Sequence, residues 1–592
     1  MDGFYGRVLL VDLAQRRFCV EAPEEGVLLR AIGGKGLASH LLLSLNPPQV
    51  DPLSQENHLI FATGPVCGSL VWGSSRYGVF TKSPQTGFYS ESYAGGRTPE
   101  AMDAAGYDAV VIKGKSKTPT VLVIDPQGVA FHEADDLWGM DTYESEDEAI
   151  KRFAKKNERG FRAGAVVIGP AGEHQVCFSV IENDHWRSAG RTGAGSIMGS
   201  KRLKAIVFQG DCRRRLADRN AVEMFAKHLA AEAKEHTLVT AYKSKGTPMM
   251  VKVMNEAGGF PTRYWSEGTY EKWQQISADA LHERCEVRPR ACLKCFMACG
   301  RMTKIRLGRH AGLRLEGPEY ETIYAFGGLC AIDSIEEIIY LNDICDRLGM
   351  DTISAGNLCG LTIEAARRGK IDYAIDYGQV DAIAGLLKKI AFREGIGDLL
   401  ARGIRAASEE WGLEDVAVHV KGLEPPGYDP RVLKGVGLGY ATSDRGACHL
   451  RATFYKPELS GMIDPDAVEG KAAMFVDFED RLTLFDALIL CRFYRDLYPW
   501  EALCEIVQSV TGIEADKKRL KAISANISNM VRKFNIQEGL TPEDDRLPSR
   551  LHKEALKGGH RISEAELKKM VDDYYRLRGW DEQGKPRANH TP

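Results

Sequence analysis

Cys292-Leu-Lys-Cys295-Phe-Met-Ala-Cys299 is the stretch from which the rest of the chain is read. Three of the fourteen cysteines fall within eight residues here, spaced C-x2-C-x3-C. Packing alone does not bring thiols so close, whereas a soft metal centre does, since iron–sulfur clusters and zinc both take Cys ligands. Zinc fingers and ribbons pair a C-x2-C with a second C-x2-C or an H-x3-H, and neither is present. The spacing therefore favours a cluster over zinc. A [4Fe–4S] cubane takes four thiolates, so a further cysteine has to come from elsewhere.

The 592 residues around this stretch exceed a single core, and roughly two to four domains are expected. Net charge is −3 with 27% charged residues, which excludes the basic face of a dedicated nucleic-acid binder. No apolar run reaches the length of a membrane span. The N-terminal MDGFYGRVLLVDLAQRRF reads as a strand pair, without a signal peptide's apolar region or a twin-arginine motif. A cytoplasmic location is expected, where thiols stay reduced and clustered Cys reads as metal ligation.

Upstream, residues 1–211 read as short β-rich runs: VLLVDL, HLIFAT, YGVFTKS, AVVIKGK, TVLVID, AVVIGPAGE and KAIVFQG. Gly33-Gly-Lys-Gly36 opens the helical pattern LASHLLLSL, whose first amides could hold an anion; an ordinary Gly-rich turn is the simpler reading. Further Gly/basic stretches follow around Arg76, at Ser90–Gly96 and from Arg187 through Arg191 to Lys204. Glycines let a backbone approach a ligand, and Arg and Lys neutralise phosphate, so these loops suit a large phosphate-bearing organic cofactor. Neither a Walker nor a Rossmann fingerprint is present.

Downstream, helical periodicity dominates. IEEIIYLNDICDRLGMDTISAGNLCGLTIEAARRG reads as one helix, and VDAIAGLLKKIAFREGIGDLLARGIRAASEEW as two, broken at Gly395-Ile-Gly397. KGLEPPGYDPR interrupts them and begins the last region, which holds GLGYATSDRGACHLR and, later, Asp486-Ala-Leu-Ile-Leu-Cys491. The expected fold class is α+β: a β-rich N-terminal cofactor-binding domain (1–211), a helical domain with the Cys motif (212–420), and a helical domain with the fourth cysteine (421–592).

These motifs together resemble one family. GGKGLASHLL, AGYDAVVIKGK, RTGAGSIMGSKRLKAI, C-x2-C-x3-C, EGPEYET, DRLGMDTISAG, GLGYATSDRGACH and the Asp486–Cys491 motif, in this order, are similar to the tungsten-containing aldehyde:ferredoxin oxidoreductases over essentially the whole length. The resemblance implies tungsten, or molybdenum, held by two pyranopterins, with a [4Fe–4S] cluster beside it and Mg2+ bridging the pterin phosphates. It makes Cys292, Cys295, Cys299 and Cys491 the cluster ligands. Asp346 and Asp351, with Asp486, belong to the two pterin motifs of form D-x-x-G-L-(D/C). Arg76, Gly95, Gly96, Arg187 and Arg191 would hold pterin phosphates. The second motif departs from the pattern, with Ile489 where the family has Gly. Glu321 and His449 align with the catalytic carboxylate and histidine, and Glu316 and Glu319 compete with Glu321. Cys330 lies close after EGPEYET; Cys330, Cys345, Cys359 and Cys448 are expected to be packing residues. The family's intersubunit iron site needs a Glu-x-x-His before DRLGMD, which this chain lacks; a homodimer through other contacts remains open.

The implied reaction converts a small aldehyde into a carboxylic acid, with electrons leaving through ferredoxin or a ferredoxin-like subunit. Related alternatives are reduction of carboxylic acids or aryl-CoA thioesters on the same cofactor. An alternative of another class is a non-catalytic [4Fe–4S] electron-transfer subunit.

Overall fold

The computed structural model describes residues 1–155 and 162–587. Its first part is a sandwich of two six-stranded mixed sheets. In the first sheet, Val8–Asp12 pairs antiparallel with Arg17–Glu21 and parallel with Ala109–Lys113; Leu59–Ala62, Arg76–Lys82 and Tyr89–Gly95 follow. In the second sheet, Leu203–Gly210 lies between Thr120–Asp125 and Arg162–Val167. The β-branched runs explain the layers, because alternate residues face opposite sides. Leu9, Val11, Phe61 and Val79 meet Leu122, Val166, Ile206 and Phe208 between the sheets. Their neighbours Ile60, Phe80 and Val111 face the other way, onto helices Glu25–Ala31 and Gly34–Leu45. The β-rich first part and the mostly helical remainder agree with the fold class read from the sequence.

Three local expectations need correction. The Cys stretch lies not among helices but in a small sheet: it joins Cys285–Arg290 to the antiparallel Gly300–Ile305, which pairs on its far side with Arg314–Glu316. The sequence IEEIIY…ARRG is two helices, Ile335–Leu348 and Thr352–Arg367, separated by left-handed Gly349 (φ 78°). The stretch from Val380 makes three: Val380–Phe392, Ile396–Ala401 and Ile404–Trp411, the added break falling at Gly403 (φ 92°).

Gly33-Gly-Lys-Gly36 is a packing device. A Cβ on Gly36 would lie 2.1 Å from Ala31 O, and one on Gly34 would lie 2.6 Å from Ala487 O. The helix Gly34–Leu45 is thereby pressed against the end of helix Lys471–Leu488. Lys35, 1% exposed, points to Glu91 (3.2 Å) and Asp444 (3.5 Å), so it neutralises internal carboxylates.

This geometry predicts opposite outcomes for two helical glycines. Gly36→Ala should destabilise by about 2 kcal/mol or more, because the obstacle is backbone. Gly385→Ala, on helix Val380–Phe392 with open space around its Cβ position, should be neutral or stabilise by up to about 1 kcal/mol. Denaturant unfolding of both variants beside the parent checks the contrast.

Candidate functional site

Two helix corners of the same construction face one cavity. Helix Ile335–Leu348 ends at left-handed Gly349, and Met350 N–H donates back to Cys345 O (2.9 Å). Asp351 then caps helix Thr352–Arg367, accepting from Ile353 N (3.1 Å) and Ser354 N (3.3 Å). Helix Lys471–Leu488 ends likewise at Ile489 (φ 55°, ψ 48°), with Leu490 N–H donating to Phe485 O (2.7 Å), and Cys491 follows at the start of the turn Arg492–Tyr494. Both are Schellman-type endings, which favour glycine at the left-handed position. Ile489 keeps that conformation at a cost of about 1–2 kcal/mol. Its side chain is buried, and Gly34 makes room for it: a Cβ there would sit 2.7 Å from Ile489 Cγ1. The departure from Gly thus leaves the corner intact.

The cavity between the corners has a volume of about 410 Å3; Asp346, Asp351, Asp486, Arg76, Arg191 and both Glu321 and His449 are on its wall. Asp486 is 2% exposed and accepts from Arg451 Nη1 (3.1 Å) and from Arg492. Asp346 accepts from Asn342 Nδ2 (2.7 Å). Arg191 spends its guanidinium on Asp351 (3.1 Å), Ala447 O (3.3 Å) and Glu424 O (2.8 Å), tying the first corner to the Pro-rich loop.

A second cavity of about 290 Å3 is bounded by Cys292, Cys295, Cys299 and Cys491. Arg187 and Gly95 belong to this cavity, not the larger one. Arg187 pairs with Glu316, and a Cβ on Gly95 would lie 2.8 Å from Cys292 Sγ. Gly96 (φ 116°) turns the chain beneath Asp184. Burial, reinforced by Cys491 and Cys292, pushes the Cys295 thiol up to about 11, the expected cost of gathering thiols that carry no counter-charge. Arg76, Tyr93, Glu316, Glu319, Cys491 and Phe493 line both cavities, so a single layer of side chains separates them.

The three glutamates of EGPEYET have different surroundings. Glu316 is paired with Arg187 and lies 3.4 Å from Arg290. Glu319 accepts from Thr247 Oγ1. Glu321 Oε2 accepts from Gly427 N (2.9 Å), while Oε1 lies 3.6 Å from His449 Nε2. The Glu321 side chain keeps 19% exposure to the cavity, yet protein surrounds it, and burial pushes its carboxyl up to about 8. His449 is held well below its ordinary value by burial and then by Arg191, Arg445, Arg492 and Arg495, so it is neutral at pH 7. Its ring is 5.4 Å from that of Tyr428, which stacks on Tyr455 at 4.2 Å.

Cys330, Cys345 and Cys359 are core residues; Cys330 Sγ points to Ala325 O and Gly356 O. Cys448 is more than packing. Its sulfur accepts from Arg445 Nη2 (3.0 Å) and Leu450 N (3.4 Å), and although burial opposes ionisation, Arg445 and Arg451 bring it down to about 6. Sequence reasoning also missed Gly427 and Tyr428 of the Pro-rich loop and the arginines 445, 451, 492 and 495. The Arg residues flanking GACH were the available signal.

The donor set suits a polar, anionic organic group. Arg445 Nε, Arg451 Nε and Nη2, Arg495 Nε, Glu321 Oε1 and Trp186 Nε1 are buried without a hydrogen-bond partner in the protein. Buried polar atoms are normally paired. Those of Arg445, Arg495, Glu321 and Trp186 are on the wall of the larger cavity, which fits a bis-pterin, whose ring edges and phosphates carry the matching groups. The four thiols likewise fit a [4Fe–4S] cluster.

The chain matches two family models: "Aldehyde ferredoxin oxidoreductase, N-terminal domain" over residues 8–210, and "Aldehyde ferredoxin oxidoreductase, domains 2 & 3" over residues 224–591. It is 35% identical over 599 residues to the tungsten-containing aldehyde ferredoxin oxidoreductase of Pyrococcus furiosus, covering 99% of this chain and 98% of that one. The protein of the same description from Thermococcus kodakarensis is 36% identical over 600 residues, with the same coverage. Among solved structures, the active-site complex BamBC of benzoyl-coenzyme A reductase shares the fold, with a TM-score of 0.84 at 24% identity, over 99% of this chain and 96% of that one.

Glu321 predicts a pH dependence of the metal-free protein. Its folded pKa of about 8 lies above the ordinary 4.5, so between these values the folded state binds more protons than the unfolded state. Its contribution to stability is therefore complete below pH 4.5 and is lost as pH rises towards 8. The slope is at most about 1.4 kcal/mol per pH unit. Glu321→Gln should lose stability less steeply than the parent over this range, as read by urea unfolding at each pH.

Proposed function

The chain belongs to the aldehyde ferredoxin oxidoreductase family, and from that premise we propose that it oxidises aldehydes to carboxylic acids. The balanced reaction is R–CHO + H2O → R–COO− + 3 H+ + 2 e−. The carrying observation is a cavity that sets Glu321 and His449 between two matched corners, one side chain away from four thiols.

A tungsten (or molybdenum) bis-pyranopterin would supply the two-electron redox chemistry, and a [4Fe–4S] cluster on Cys292, Cys295, Cys299 and Cys491 would pass the electrons out singly. Asp346, Asp351 and Asp486 are assigned to the pterin ring edges, and Arg76, which spans both cavities, to a pterin phosphate. Arg191 acts indirectly, by holding Asp351 and the Pro-rich loop in place.

Glu321 is the proton acceptor. A carboxyl raised to about 8 takes a proton from water or substrate far better than an ordinary carboxylate does. Gly427 N–H fixes one oxygen and leaves Oε1 turned towards His449. Neutral His449, with Nε2–H facing this oxygen's side of the cavity, is the hydrogen-bond donor that polarises the aldehyde oxygen. Tyr428 and Tyr455, stacked on each other, both pack beside the His449 ring, at 5.4 Å and 6.3 Å, and so fix the imidazole plane.

Glu321→Gln and His449→Asn should keep tungsten, iron and fold while losing about 10²–10⁴ in kcat per tungsten, measured with benzyl viologen as acceptor. In the parent, kcat/KM should fall below a pH near 8, and this acid limb should be missing from the residual activity of Glu321→Gln. Per-tungsten rates within threefold of the parent would remove both residues from catalysis. A parent that contains neither tungsten nor molybdenum would overturn the proposed reaction.

A further inference from the structure

The outward side of the Cys292–Cys299 loop carries a rim of cations. Leu293, between the first two thiols, is 39% exposed, and its N–H donates to Gly96 O (3.2 Å), which places it beside the exposed Arg97. Lys294 Nζ (3.1 Å) and Arg162 Nη1 (2.7 Å) both donate to Oε2 of Glu100. Glu100 is 2% exposed, whereas Arg162 and Lys294 remain 36% and 22% exposed. Two cations thus share one buried carboxylate, and Arg97 adds a third.

The remaining acids of this rim do not cancel the excess. Asp184 accepts the N–H groups of Arg97 (2.7 Å) and Thr98 (3.2 Å). Arg290 immediately precedes the loop, lying over Trp186 and 3.4 Å from Glu316, which is buried and already paired with Arg187. Glu100 and Glu316 are buried, whereas Arg97, Arg162, Arg290 and Lys294 all keep exposed surface.

This rim sits one residue above the thiols. Gly96 accepts from Leu293, and its neighbour Gly95 presses on Cys292 Sγ. On the other side of the loop, Gly73 N–H donates to Lys294 O (2.9 Å), so the segment Leu70–Gly73 runs along it. That segment presents Leu70, 48% exposed, and Trp72, which packs against Phe296 at 5.2 Å. Apolar side chains are therefore set among cations beside the loop that carries the thiols.

We propose that this rim, centred on Leu293 and bounded by Arg97, Arg162, Arg290 and Lys294, is the docking surface for an acidic one-electron carrier protein of the ferredoxin type. The inference rests on the reading that the four thiols hold a cluster. One electron passes per encounter: the reduced cluster is oxidised, the carrier is reduced, and no bond is made or broken. Complementary charge steers and orients such an encounter, and a small apolar centre lets the complex form without making it long-lived. Both features are present here, with Leu293 itself lining the thiol cavity.

The experiment uses the holoenzyme, an acidic two-cluster [4Fe–4S] ferredoxin and benzyl viologen as alternative acceptors. The double variant Arg97→Glu/Arg162→Glu touches neither cavity wall. Its aldehyde turnover with viologen should equal the parent's. With ferredoxin at low ionic strength its kcat/KM should fall about tenfold or more, and the parent's decline with added salt should flatten. Ferredoxin kinetics and salt dependence within twofold of the parent, with viologen turnover retained, would overturn the proposal. Arg97→Gln, followed by calorimetric titration with the same ferredoxin and no substrate, covers the case in which the double variant does not fold. Weaker binding there supports the surface even if the aldehyde reading fails. A parent that turns over aldehyde with viologen but binds ferredoxin no more tightly than Arg97→Gln does overturns the surface and leaves that reading standing.

Discussion

The buried charges around Asp486 are the constraint on which the rest of the structure depends. Asp486, on the last turn of helix Lys471–Leu488, meets Arg451 and Arg492; Arg451 also meets Glu91 of the first sheet, which in turn meets Lys35 of Gly33-Gly-Lys-Gly36. Removing charges from water is expensive, and losing one member of a buried pair costs about 3–5 kcal/mol. The sheet, the first helix and the last helical region are therefore held in one arrangement. Arg451, Arg492, Arg445 and Lys35 are set against Asp486, Glu91, Asp444 and the low-pKa thiol of Cys448. Arg445 and Arg495 bring guanidinium nitrogens without a hydrogen-bond partner to the cavity wall, which suits an anionic occupant, and burial together with Arg191, Arg445, Arg492 and Arg495 holds His449 neutral.

The division of labour follows from this electrostatic setting. At Glu321, burial outweighs the Gly427 N–H and the more distant charge of Arg191 and raises its pKa. Glu316, a few residues earlier, is spent on Arg187 and Arg290, and joins the wall between the cavities instead. One short segment thus supplies a carboxyl of raised pKa to one cavity and a charge partner to the other.

Much of the fold was legible because its signals are local. The strands around Val8–Asp12, Ala109–Lys113 and Leu203–Gly210 are dense in β-branched residues, whereas the stop at left-handed Gly349 was read through because helical periodicity resumes at once on its far side. Tyr89–Gly95 read as a loop because Ser90, Glu91 and Ser92 are polar; they are buried in a strand whose charge partners lie at Lys35 and Arg451. The sheet around the cysteines was hidden for a similar reason, since CEVRPR and GRMTKI are largely polar and exposed on one face. In the site, motif order placed Cys292 and Glu321 near the relevant cavities. Arg187 was read as a phosphate ligand, whereas its partner Glu316 lies 129 positions away, a pairing no local pattern announces.

The account rests on the claim that the larger cavity holds one heavy-metal pterin centre and the smaller one an iron cluster. Anomalous X-ray diffraction from crystals of the intact enzyme, collected at the tungsten L3 edge (or the molybdenum K edge) and at the iron K edge, tests it directly. The account predicts one heavy-metal peak between Glu321, His449 and the two corners, with the iron peak enclosed by Cys292, Cys295, Cys299 and Cys491. A heavy-metal peak bound elsewhere, iron outside the four thiols, or a single zinc signal in their place would contradict it.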